Sequence, residues 1–248
     1  MADFDNRVLR QPATSIGAVD AGLRAHMLRV YNYILIGLVL TGATAWLTAD
    51  TSFGQIFYQF NPASGRIGLT GLGWIALFAP IGFVLFLSFR INRMSVGAAQ
   101  ATFWAYAAVV GIGIAPILLV YTGASVAEVF FITAATFGAM SLWGYTTRSS
   151  LAGMGSFLFM GLIGVIIASL VNMFFHSAMI QWIVSIVGVL VFTGLTAYDT
   201  QSIKESYAAY DDGTVAGRKA IFGALRLYLD FLNLFLLLLQ LFGGGNRR

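Results

Sequence analysis

Seven stretches of roughly twenty apolar residues follow one another through this chain, each as long as a helix that crosses a lipid bilayer. They lie at residues 29–48, 70–90, 98–121, 126–146, 152–175, 179–200 and 221–242. In hydrocarbon every backbone N–H and C=O must be satisfied within its own segment, which leaves helix as the only state open to them. The expectation is an all-α membrane protein with seven transmembrane helices. Residues 1–26 read as an N-terminal segment, 27–242 as the transmembrane domain and 243–248 as a flexible tail, Gly243-Gly-Gly-Asn-Arg-Arg248.

Composition agrees. The chain is 58% hydrophobic and only 10% charged, against about 25% charged in soluble domains. Its net charge of +4 does not point to nucleic acid, because the basic residues stand singly or in pairs at segment ends, as topology signals do. Cysteine is absent, which excludes disulfides and thiolate metal sites. The first 26 residues are polar, with Asp3, Asp5, Arg7, Arg10, Asp20 and Arg24, and do not form a cleavable signal.

Basic residues also give an orientation. With the N-terminus in the cytoplasm, only Arg66, Arg247 and Arg248 of the 14 basic residues fall outside, so the cytoplasmic excess is strong. The Arg247-Arg248 pair would instead suit six spans with a re-entrant last segment. Two connections are long, 49–69 with the turn signal Asn61-Pro62-Ala-Ser-Gly65, and the polar loop 201–219. The many glycines read as helix-packing positions, Gly111/Gly113 and Gly161/Gly164 among them. A faint echo links Ser141-Leu-Trp-Gly-Tyr-Thr-Thr-Arg148 with Gly194-Leu-Thr-Ala-Tyr-Asp-Thr-Gln201.

Two of the ten acidic residues stand inside apolar runs: Asp199 in the sixth segment and Asp230 in the seventh. An ionisable group in a span costs roughly 2.5–3.5 kcal/mol on insertion scales and marks a functional-site candidate. Asp199 lies near the cytoplasmic end of its helix. Arg226 can snorkel to the interface, which sets Asp230 about one turn inside, roughly 6 Å. The carboxylates thus share a depth. Two such groups in low dielectric cannot readily both ionise and share a proton near neutral pH. That pair can sense pH or make a transient contact with a hard cation such as calcium. In the seventh segment Arg226, Asp230, Asn233, Leu237 and Gln240 recur every three or four residues, a polar stripe suited to lining a pathway. The plainer alternatives are an i,i+4 pair of Arg226 with Asp230 and an Asp199 solvated at its helix end. Arg90, at the end of the second segment, is an ordinary anchor or a cation that latches Asp199; Glu128 reads as a solvated acid near a helix start.

Catalytic signatures are lacking. The chain holds two histidines, His26 and His176, with no H-E-x-x-H and no G-x-S-x-G. Gly153-Met-Gly-Ser-Phe157 opens a span without a partner base. An intramembrane aspartyl protease needs a Gly-x-Gly-Asp that does not follow Asp199, and no lysine lies within a segment to hold retinal. The expectation is a protein that is not an enzyme and has no cofactor.

Gly194-Leu-Thr-Ala-Tyr-Asp-Thr-Gln-Ser-Ile203 and Leu225-Arg-Leu-Tyr-Leu-Asp-Phe-Leu-Asn-Leu-Phe235 resemble the Bax inhibitor-1 family, also called transmembrane BAX inhibitor motif proteins. Thr133-Ala-Ala-Thr-Phe-Gly-Ala-Met-Ser141 and Met154-Gly-Ser-Phe-Leu-Phe-Met-Gly-Leu162 fit the same style, so the likeness covers about residues 25–242. The bare N-terminus resembles the bacterial branch. The resemblance implies a bundle with the last helix in its middle, in the bacterial inner membrane. It implies a pH-sensitive calcium leak whose sensor aspartates match Asp199 and Asp230. It further implies an arginine of the second helix that pairs with the first aspartate, matched by Arg90, with Arg93 as the alternative. The family also includes members that restrain a membrane-bound ATP-dependent protease. The rival expectation is therefore an interaction protein without transport, contacted through residues 1–26 or the 201–219 loop.

Overall fold

The computed structural model describes residues 14–61 and 66–244. Eight helices form among them: α1 (Thr14–Asp50), α2 (Gly71–Arg90), α3 (Val96–Ile114), the single-turn α4 (Ile117–Val120), α5 (Gly123–Thr146), α6 (Ala152–Phe175), α7 (Ala178–Ser206) and α8 (Gly213–Phe242). With α3 and α4 taken together, seven are long and apolar enough to cross a membrane. α8 is one unbroken helix, so a re-entrant last segment is not what forms. The end of the bundle at which α1 starts is called basal here and the opposite end apical.

Helix starts follow the local sequence. Thr70, Ser95, Thr122 and Ser177 each accept a hydrogen bond from a backbone N–H in the first turn of the helix they precede, satisfying donors that have no partner within the helix. The third span is interrupted where an unbroken helix over 98–121 was expected. Pro116 lacks a backbone N–H and disfavours helix at Ala115, so α3 ends at Ile114 and α4 restarts beyond the proline. The connection after α1 folds into a 3-10 turn (Ser52–Ile56) and an antiparallel hairpin, β1 (Tyr58–Asn61) with β2 (Arg66–Leu69), Tyr58 facing Leu69. Tyr58 Oη ties the hairpin to the bundle by donating to the Ile112 carbonyl at 2.6 Å.

Two boundaries depart from the sequence expectation. α1 begins at Thr14 rather than near residue 29, so part of the expected N-terminal segment is helical; residues 1–13 lie outside the described residues. The expected polar loop 201–219 is mostly helix, and only Tyr207–Asp212 connects α7 to α8. Lys and Glu are good helix formers, so α7 continues past its apolar part. α8 starts early because Asp212 Oδ1 accepts from Thr214 N (2.8 Å) and Val215 N (2.7 Å).

The core is α8, as the expected central last helix requires. It packs on α7, α1, α5 and α3, whereas α2 and α6 pack mainly on single long neighbours, α3 and α7. From Ala220 to Leu239 every α8 residue is buried except Phe222, Arg226, Leu229, Asn233, Leu236 and Leu237. Those six fall three or four apart, or side by side, and form one uncovered stripe. On the opposite face Tyr228 is fully buried among Phe103 and Tyr106, its ring edge-on to both. Its hydroxyl meets Thr41 Oγ1 at 2.5 Å, and Thr41 also lies 2.9 Å from the Ala107 carbonyl, so α1, α3 and α8 close on one point.

Close helix approaches need glycine at two places. A Cβ at Gly111 would collide with Thr44 Oγ1 and the Thr41 carbonyl of α1, and one at Gly144 with the Ala197 backbone of α7. Gly164 faces open space and is not a packing position.

Candidate functional site

The Tyr198-Asp199-Thr200-Gln201 run sits in the last turns of α7, and its four side chains point to four different tasks. Thr200 Oγ1 lies 2.9 Å from Ser141 Oγ on α5, which lies 2.7 Å from Tyr31 Oη on α1, a polar chain through three helices. Gln201 caps α6: its Oε1 accepts from Leu151 N at 2.7 Å and its Nε2 donates to the Ser149 carbonyl at 2.9 Å. The N-cap residue of α6, Leu151, has no polar side chain of its own to offer. Tyr198 packs against Gly155 of α6. Asp199 turns toward α8. The two echo stretches meet here, through Ser141 with Thr200 and Gly144 with Ala197.

Arg226 Nη2 donates to Asp199 Oδ1, and Arg226 Nη1 donates to Ser202 Oγ at 3.2 Å. Asp230, one turn further along α8, lines the same cavity as Asp199 and Arg226. Its Oδ2 is buried with no hydrogen-bond partner among the described residues. Arg226 thus bridges to Asp199 rather than pairing within its own helix with Asp230, and Asp199 is buried, 7% exposed, rather than solvated at a helix end. Two carboxyls and one guanidinium share one largely buried site, so the charge of each bears on what the others can carry.

These groups form the floor of a cavity of about 650 Å³ between α6, α7 and α8, walled by Phe159, Leu162 and Ile166 of α6 and by Phe192 and Leu195 of α7. Phe159 and Ile166 are 58% and 50% exposed, so the cavity opens sideways along the uncovered stripe of α8. Asn233 lines it, with its Nδ2 donating to the Leu229 carbonyl at 2.8 Å. Gln240 does not line it. Leu237 intervenes, packed over Gly188, and Gln240 joins a separate apical network by accepting from Gln181 Nε2 (2.5 Å) and Ser185 Oγ (3.0 Å). The expected stripe is therefore split by an apolar layer.

Arg90 is not the partner of Asp199. It is exposed on the last turn of α2, a helix at the rim of the bundle that packs on α3, and Arg93 is likewise exposed. The cation at Asp199 comes instead from the central helix, one turn before Asp230. The spacing of Arg226 and Asp230 marked both residues, but not that Arg226 reaches across to α7. Glu128 is exposed in α5. Among the described residues no group of three or more His, Asp or Glu side chains converges, so a cation at this site would meet the aspartate pair and must compete with Arg226 for Asp199.

Fold and site define a multi-pass helical membrane protein with a buried aspartate pair on its central helix and that helix's neighbour. Residues 23–247 match the family described as Inhibitor of apoptosis-promoting Bax1. The Inner membrane protein YbhL of Escherichia coli strain K12 is 44% identical over 236 residues, 94% of this chain and 97% of that one. An uncharacterized protein of Rickettsia prowazekii is 44% identical over 229 residues, 92% of each chain. An uncharacterized membrane protein of Streptococcus pyogenes serotype M3 is 34% identical over 229 residues, 92% of this chain and 96% of that one. The chain belongs to the Bax inhibitor-1 family.

Proposed function

We propose that this protein is a pH-sensitive calcium leak of the bacterial inner membrane, with its N-terminus in the cytoplasm and the Asp199–Asp230 pair as its proton-responsive gate. The observation that carries this reading is the buried triad of Asp199, Asp230 and Arg226 at the floor of a cavity open to one side. With both carboxyls ionised the triad carries one net negative charge; with one shared proton it is neutral. Proton binding therefore changes what Arg226 must neutralise, and with it the grip of α8 on α7. Arg226 acts as the latch, because a permeating cation reaches Asp199 only after the guanidinium leaves. Oxygen ligands from two carboxylates and Asn233 suit a hard cation. The inner-membrane assignment is supported by the seven apolar helices and by the name of the Escherichia coli relative. The cytoplasmic N-terminus is supported by the basic residues gathered at the basal end.

The test is calcium flux into liposomes holding the purified chain, across roughly pH 5–8, a window that brackets a shared proton. Wild type, Asp199→Asn and Asp230→Asn are compared. A pH-dependent flux altered by both substitutions is expected. No flux above empty liposomes at any pH would remove the leak and favour a protein that acts by binding, for example on a membrane-bound ATP-dependent protease.

A further inference from the structure

α1 and α5 run side by side without extensive packing on each other; both pack on α8, α1 also on α3 and α5 also on α7. The result is a crevice between them. Its basal half is a cavity of about 550 Å³, with Arg24, Leu28 and Tyr31 on the α1 side and Phe137, Leu142 and Tyr145 on the α5 side. Leu28 and Leu142 are 53% and 63% exposed, so its mouth faces the lipid. Arg24 is exposed at the basal rim. Lys204 stands behind Tyr145, donating from Nζ to the Tyr145 carbonyl at 2.8 Å and lying 5.6 Å from the ring centroid. The floor is closed by the Tyr31–Ser141 hydrogen bond.

We propose that this crevice is a binding site for one anionic phospholipid of the basal leaflet, its phosphate at Arg24 and an acyl chain along Leu28, Phe137 and Leu142. Two features favour this occupant. The one charged side chain that lines the crevice, Arg24, stands at its basal end, and the walls beyond it are mostly apolar and aromatic. A free phosphate satisfies the rim and leaves the walls unmatched, whereas a lipid satisfies both. Arg24 and Leu28 are one helical turn apart, roughly 6 Å, which matches the step from a phosphate to the first acyl carbons. The inference rests on this geometry alone and does not depend on the calcium reading.

Native mass spectrometry of the full chain, titrated separately with phosphatidylglycerol, phosphatidylcholine of the same acyl chains and glycerol 3-phosphate, tests it. Wild type should retain a first phosphatidylglycerol in preference to phosphatidylcholine and should not retain glycerol 3-phosphate. Arg24→Ala should weaken phosphatidylglycerol roughly fivefold, the effect of one cation near a membrane surface, and leave phosphatidylcholine unchanged. Gly138→Phe should abolish the first lipid of either kind. Gly138 lines the crevice, and nothing lies within 4 Å of a Cβ added there, so a larger side chain starts out into the groove rather than against a helix. Melting temperatures of the same samples show that the variants fold, with Gly138→Leu as the replacement should Phe fail. Equal retention by wild type and variants would overturn the site and leave only annular lipid. Retention of glycerol 3-phosphate without lipid preference would overturn the lipid in favour of a free phosphate.

Discussion

Arg226 and Asp199 face one another across the α7–α8 interface, and their ion pair joins the central helix to the helix that carries the run Ala197-Tyr-Asp-Thr-Gln201. The guanidinium is the less buried partner, its side chain 30% exposed against 10% for the aspartate. Removing it leaves Asp199 buried with no counter-charge. Arg226→Gln should lower stability by about 1–3 kcal/mol, the usual cost of orphaning a buried acceptor, and raise basal calcium flux. Arg90→Ala should do neither. Melting and liposome flux on the two variants check this. Combining Arg226→Gln with Asp199→Asn should restore part of the lost stability, because the double variant no longer buries a lone charge. Equal effects of the two arginine variants would return the latch to α2.

Gln201 should matter to stability without touching the gate. Gln201→Ala removes the acceptor for Leu151 N and the donor to the Ser149 carbonyl, leaving the start of α6 with the longer 3.3 Å bond from Ala152 N to Ser150 Oγ. A loss of about 1 kcal/mol is expected, seen as a lower melting temperature, while the pH at which flux changes stays where it is in wild type. A shifted pH response would mean that Gln201 does more than hold α6.

The two kinds of glycine in the bundle should respond in opposite directions. Gly144→Ala drives a methyl into the Ala197 backbone, which side-chain rearrangement does not relieve, and should destabilise the α5–α7 contact. Gly164→Ala meets nothing within 4 Å and should be neutral or stabilise by up to about 1 kcal/mol through helix propensity. Thermal melts of the two variants separate the cases.

Much of the fold was legible because a bilayer leaves so few options. The seven helices and their order follow from apolar run length, whereas the Ser, Thr and Asp residues that cap them emerge only in the structure. The lapses have physical causes. α7 and α8 outrun their apolar parts because Lys204, Glu205, Arg218 and Lys219 sustain helix in water as well as apolar residues do in lipid. The break at Pro116 was visible as a proline in a long run, but Pro80 sits unbroken inside α2, so proline alone does not decide. Both aspartates were marked by their rarity in apolar surroundings. The partner of Asp199 was not, because periodicity assigns residues to a face of one helix and is silent on which neighbour that face meets. Arg90 and Arg226 are equally plausible in sequence; only the central position of α8 separates them.

Stability in alkali supplies a check on the hairpin. Burial pushes Tyr58 up from its ordinary value of 10.0. Above about pH 10 the unfolded chain therefore releases this proton while the folded chain keeps it, so the folded state binds more protons and loses stability as pH rises. The contribution is whole below pH 10 and fades above it. Tyr58→Phe should flatten the fall in melting temperature above about pH 10; an unchanged slope would assign the alkaline loss to other tyrosines.

The helix on which the others pack is also the last of the seven to leave the ribosome. Until α8 is threaded, Thr41 lacks Tyr228, Asp199 lacks Arg226, and α1, α3, α5 and α7 lack the surface they share. Without it the first six spans fall into two groups, α1 with α2 and α3, and α5 with α6 and α7, which share little contact, and Asp199 faces the gap that α8 fills. Gln201 of α7 caps α6, and those two spans pack extensively on each other without help from α8. The rest of the bundle waits for its axis, and a chain stalled before α8 would present the quality-control machinery of the cell with an uncompensated charge inside the bilayer.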